Sequence, residues 1–110
     1  MKPIKTRYGA TVNTSIQLTS TGLVEATLYV GKPGEAPVIT KSAPFTDGVA
    51  YLSLAPVDTR IPLGEYKYQI NVEYSDGSIE KYPEPQADCE DEDALPSFIV
   101  VEALDETEVV

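Results

Sequence analysis

The feature that most narrows the possible folds is an uninterrupted alternation from Glu65 to Tyr74. Tyr66, Tyr68, Ile70, Val72 and Tyr74 fall on one side, and Glu65, Lys67, Gln69, Asn71 and Glu73 on the other. A period of two over ten residues predicts a strand with one face in a core and the other in water. Ser75-Asp76-Gly77 follows. Asp-Gly tolerates positive φ, so the spacing predicts a tight turn into Ser78–Tyr82. Burying five such side chains is worth roughly 1.5–3 kcal/mol each before the cost of ordering them. This hairpin constrains the fold but contains no reactive group.

The remaining apolar positions repeat the theme in shorter runs. Ala10–Leu18 alternates through Val12, Thr14, Ile16 and Leu18, and Leu23–Val30 through Val24, Ala26, Leu28 and Val30. Val38–Ser42 reads as a short edge strand, and Val49–Leu54 buries Ala50, Leu52 and Leu54. Residues 55–63, with Pro56 and Pro62, form a crossover into the central hairpin. Pro83-Glu84-Pro85 stops that hairpin, because proline donates no ladder hydrogen bond. Ser97–Leu104 is apolar enough to be covered on both faces or to lie between sheets. Turn chemistry places loops at Gly31–Pro37 and Gln86–Pro96. Seven short strands without helical period predict an all-β fold, an antiparallel β-sandwich. The division expected is an N-terminal arm at 1–9, a sandwich domain at 10–104 and an acidic tail at 105–110.

Residue chemistry argues against catalysis. Histidine is absent, which removes every His-dependent triad, dyad and zinc motif. The single cysteine, Cys89, sits among Asp88, Glu90, Asp91 and Glu92, which disfavour its thiolate. No enzyme activity and no cofactor are expected. No apolar run approaches the ~20 residues that cross a bilayer. The N-terminus leads into no apolar stretch of a secretion signal, so synthesis and retention in a cytoplasm-like compartment are expected.

Charge is segregated along the chain. Residues 1–83 carry eight bases and eight acids, whereas residues 84–110 carry ten acids and no base, which yields the net charge of −10. Binding to nucleic acid or to an anionic membrane is therefore not expected. Within the acidic stretch, Asp88, Glu90, Asp91, Glu92 and Asp93 form a candidate calcium loop, although the glycine and distal glutamate of an EF-hand are missing. A solvated acidic loop is the plainer reading. At the other end, Lys2, Lys5, Arg7 and Tyr8 could carry an arm onto an acidic neighbour, including a second copy. Tyr29 and Tyr51, expected on outer faces, complete the candidate interaction residues, because tyrosine is enriched where proteins bury against each other.

Two stretches carry a family resemblance. Arg60-Ile61-Pro62-Leu63-Gly64-Glu65-Tyr66-Lys67-Tyr68 resembles the corner before strand F of immunoglobulin-like and fibronectin-like sandwiches, where a tyrosine bonds back to upstream backbone; Tyr66 would hold that place. The longer pattern runs Gly64-x-Tyr66-x-Tyr68, Tyr74-Ser75-Asp76-Gly77, Glu80-x-Tyr82-Pro83 and Phe98-x-Val100. It is similar to small Ig-like domains of tailed-bacteriophage virion proteins, including the N-terminal modules of baseplate upper proteins. The resemblance covers about residues 60–101 and rests on framework positions, so it carries over no site residue. It implies a non-catalytic structural subunit on capsid, neck or tail, made in the host cytoplasm and resident in the virion. Other virion proteins, or further copies of the chain, would be its partners. A free-standing acidic module that binds a basic protein or a cation, and an acidic mimic of nucleic acid, remain as alternatives.

Overall fold

The computed structural model describes residues 2–83 and 95–105 of the chain. Among them the regular structure is entirely β: β1 Ile4–Arg7, β2 Ser15–Gln17, β3 Leu23–Gly31, β4 Ile39–Pro44, β5 Val49–Tyr51, β6 Gly64–Tyr74, β7 Ile79–Tyr82 and β8 Ser97–Val101. Six strands form a mixed sheet of order β1-β8-β6-β3-β4, with β7 also paired to β6, and β2 and β5 form a second layer. Together they curl into a half-barrel compatible with a β-sandwich.

The long alternating stretch becomes β6, the strand on which the large sheet is built. β3 runs antiparallel along one edge of β6, from Leu23 opposite Tyr74 to Gly31 opposite Lys67. Two strands share the other edge. β7 pairs with Ile70–Glu73, and β8 with Gly64–Lys67. The chain thus leaves the sheet at Tyr82, opposite Ile70, and rejoins it at Ser97, opposite Lys67. Tyr66, Tyr68, Ile70 and Val72 turn inward, as their spacing predicts, and are buried with Ala26, Leu28 and Val30 of β3. Phe98 and Val100 of β8 extend the same face.

The second layer closes over this core. β2 and β5 pair with Ile16 opposite Ala50. The same register continues past both strands, since Val12 and Leu54 exchange backbone hydrogen bonds and Leu52 N–H donates to the Thr14 carbonyl. Ala50, Leu52 and Leu54 are fully buried. The 55–63 crossover is pinned by Thr59, a buried residue whose hydroxyl reaches the carbonyl of Ala10 at 2.7 Å and that of Pro56 at 3.2 Å. At its end, the Tyr66 hydroxyl donates to the Pro62 carbonyl at 2.6 Å.

Several sequence expectations require correction. Residues 4–7 are not a free arm but a strand, paired parallel to β8 from Ile4 opposite Phe98 to Arg7 opposite Val101. Thr6 and Tyr8 point inward with Ile4 while Lys5 and Arg7 face out, so a period of two was present but carried by a threonine. The parallel pair makes the large sheet mixed rather than antiparallel, and the described residues form eight strands, six in that sheet and two in the second layer, rather than about seven. β8 ends at Val101, and Leu104, expected inside the strand, is fully exposed. Val24 leaves its expected inward row because the β3–β6 register shifts between Leu23 and Glu25. Of the tail at 105–110, only Asp105 lies among the described residues.

Candidate functional site

The candidate interaction residues do not all share one surface: Lys5, Arg7 and Tyr29 belong to the outer side of the large sheet, Tyr51 to that of the small one, and Tyr8 to the core. Tyr8 is a core residue, 2% exposed, so its place among those candidates is corrected: a ring packed against the sheet is not available to a partner. Arg7 is exposed, yet its guanidinium donates to the carbonyl of Glu102 at 2.8 Å, which ties β1 to the chain just after β8. Lys2 is exposed and its carbonyl accepts the Tyr68 hydroxyl at 2.5 Å. Lys5 faces outward from β1. Tyr51 stands 67% exposed on the outer side of the small sheet, directly opposite Ser15 and bordered by Asn13 and Ser53. Tyr29 is half-buried on the outer side of the large sheet, opposite Gln69.

The proposed calcium ligands Asp88, Glu90, Asp91, Glu92 and Asp93 lie outside the described residues. Among the described residues, no group of three or more Cys, Asp or Glu side chains is arranged to hold a metal ion. No helix there is long and apolar enough to cross a membrane.

A groove of about 350 Å³ lies on the outer side of the large sheet, under the Gly31–Pro37 loop. Strand register assembles it. Gly31 stands opposite Lys67, Tyr29 opposite Gln69, and Lys81 opposite Asn71, so residues far apart in sequence meet on one face. Lys32, Lys67 and Lys81 contribute positive charge, and Glu35 on the loop a negative one. Gln69 Nε2 donates to Asn71 Oδ1 at 2.8 Å, which fixes both amides side by side along β6. The loop is tightly closed, because Glu35 N–H donates to the Lys32 carbonyl at 3.0 Å and Gly34 has φ +83°. Nitrogen donors dominate this surface, a chemistry suited to holding anions and main-chain carbonyls.

One wall is braced by a three-membered network. Lys67 Nζ lies 3.1 Å from Glu65 Oε2 and 3.2 Å from Ser97 Oγ, and Ser97 Oγ donates to the same Glu65 oxygen at 2.8 Å. The Ser97 hydrogen bond first, then Lys67, holds the Glu65 carboxyl below its ordinary range. Lys32 extends its ammonium 5.6 Å from the centre of the Tyr66 ring, linking the loop to the corner that Tyr66 makes with Pro62. Behind the groove, burial pushes the Tyr68 phenol above its ordinary value.

Tyr29, expected on an outer face, and the loop expected at Gly31–Pro37 both border the groove. Lys67, Gln69, Asn71 and Lys81 are not marked by any motif. Their signal was present as the polar half of the alternation, but a polar half looks alike whether it faces open water or a groove. No protein-family model matches the chain, and no curated protein matches it.

Proposed function

We propose that the chain is a non-catalytic structural subunit of a tailed-bacteriophage virion. In this reading it is an Ig-like accessory domain on capsid, neck or tail, and it strengthens contacts between neighbouring subunits. The observation that carries the reading is the Tyr66–Pro62 hydrogen bond at the entrance to β6. A tyrosine bonded back to backbone a few residues upstream is what the family resemblance leads one to expect at the corner before strand F of Ig-like and fibronectin-like sandwiches, and the bond falls within the stretch that resembles the phage virion domains. The order β8-β6-β3-β4 in the large sheet is compatible with that architecture. Outer faces bearing Tyr29 on one sheet and Tyr51 on the other suit a part that contacts neighbours on two sides. The test is co-sedimentation of the purified full chain with phage particles and with isolated capsid and tail components. Saturable binding at a fixed copy number per particle is expected. A chain that stays in the supernatant with every component contradicts the reading.

A second reading, a free-standing acidic module for a basic partner or a cation, is favoured by one observation: ten acids and no base within residues 84–110. Replacing Asp88, Glu90, Asp91, Glu92 and Asp93 by amides would then abolish capture of that partner, and salt would weaken it. Unchanged capture removes this reading.

A further inference from the structure

The groove on the outer face concentrates positive charge in a protein that is otherwise acidic. Three of the chain's eight basic residues, Lys32, Lys67 and Lys81, line it, although the net charge is −10. Their placement is extended rather than focal. Lys67 and the partner of Lys81, Asn71, are four residues apart on β6. At ~3.4 Å per residue this separates the two lysine registers by about 14 Å. One small anion sits naturally at one register. An extended peptide places side chains of one face about 7 Å apart, so carboxylates at i and i+4 match the two registers.

The floor between the lysines suits a peptide backbone. The Gln69–Asn71 bond uses one amide hydrogen and one carbonyl oxygen. The Gln69 oxygen and the Asn71 nitrogen are left to pair with main-chain N–H and C=O. Tyr29, opposite Gln69, offers an aromatic wall. The loop overhead is preorganised: a Cβ at Gly31 would lie 3.1 Å from Pro37 Cα, so the two ends of the loop pack against each other. A preformed site loses less entropy when its ligand binds. Lys67 is partly satisfied by Glu65 and Ser97, whereas Lys81 makes no ion pair among the described residues. A groove of about 350 Å³ is at the lower end of the range for ligand sites.

We propose that this groove binds an extended, carboxylate-rich peptide segment of another protein. Such binding is a property of the groove alone and does not depend on the virion reading. Net charge makes the test stringent, because long-range repulsion opposes any polyanion approaching this protein. Binding must therefore come from the local lysines.

The experiment is fluorescence anisotropy of labelled hexaglutamate with the full chain at low salt. Hexaglutamine serves as neutral control and inorganic phosphate as competitor. The variant carries Lys32→Gln and Lys81→Gln, both exposed positions, with retained folding checked by circular dichroism and thermal midpoint. Hexaglutamate is expected to bind and hexaglutamine not to bind. Affinity should fall about tenfold or more in the folded variant, and it should weaken as salt is raised. Phosphate should not displace the peptide at equal concentration. Absence of binding, equal binding of hexaglutamine, displacement by equimolar phosphate, or unchanged affinity in the folded variant overturns the proposal.

Discussion

The Tyr66 hydroxyl donates to the carbonyl oxygen of Pro62, four residues upstream, at 2.6 Å. The bond fastens the end of the crossover to the first inward side chain of β6, so it fixes where the central strand begins. Tyr66 is buried, and removing its hydroxyl deletes the hydrogen bond that this carbonyl accepts. Tyr66→Phe is expected to lower stability by about 1–2 kcal/mol. Urea unfolding should show a lower midpoint with an unchanged slope. An unchanged midpoint would mean that the corner does not depend on this bond.

Gly48 and Gly77 separate steric contact from backbone strain. Both have positive φ, +81° and +87°. A Cβ at Gly48 would lie 2.6 Å from the Leu18 carbonyl oxygen, whereas nothing stands within 4 Å at Gly77. Leu18 N–H donates to the Gly48 carbonyl at 2.8 Å, so the close approach belongs to the pairing that holds the second layer. Gly77→Ala should cost about 1–2 kcal/mol from φ alone. Gly48→Ala should cost about 2–4 kcal/mol, because overpacking against backbone adds to the strain. Equal losses in parallel urea titrations would contradict this packing.

The last strand offers a similar contrast. Phe98 is fully buried and Leu104, six residues later, is fully exposed. Phe98→Ala is expected to cost about 3–5 kcal/mol, and Leu104→Ala to stay within about 0.5 kcal/mol. The sequence presents both as members of one apolar run. Strand pairing distinguishes them: Phe98 lies between Ile4 and Tyr66, whereas the pairing of β8 ends at Val101.

Stability should decline at both pH extremes, for different groups. The Asp76 carboxylate accepts from the Ser78 hydroxyl and then from the Ser78 N–H, which lowers its pKa; Glu65 is lowered by Ser97 and Lys67. A depressed carboxyl stabilises the fold above its unfolded pKa of about 4, and that contribution fades as pH falls through the folded value. The double variant Glu65→Gln, Asp76→Asn should therefore be less stable than the parent at pH 7, with the gap closing in acid. Tyr68 acts in the opposite sense. Burial raises its pKa, and its hydroxyl donates to the Lys2 carbonyl. That contribution is complete below pH ~10 and is lost as pH rises through the raised value. Tyr68→Phe should flatten the alkaline limb of a thermal-midpoint profile; an identical limb would argue against a buried phenol.

How much was legible from the residues depended on whether a side chain declared its face. β6 was plain because five large apolar residues alternate with five polar ones. Ala50, Leu52 and Leu54 were plain for the same reason, and the Tyr66 corner could be read from its setting after Pro62. β1 was hidden because Thr6 occupies an inward position, and because parallel pairing with β8 joins the two ends of the chain, which no local pattern encodes. The groove was hidden for a related reason. Its residues come from β3, β6, β7 and a loop, and only register sets Lys81 beside Asn71. Local alternation reports burial, whereas shared surfaces arise from pairings between distant segments.

The most direct measurement of the proposed role is quantitative mass spectrometry of gradient-purified phage particles from lysates in which this chain is expressed. A fixed copy number per particle, retained through a high-salt wash, is the expected result. Recovery of the chain only in the particle-free fraction would contradict a structural role in the virion.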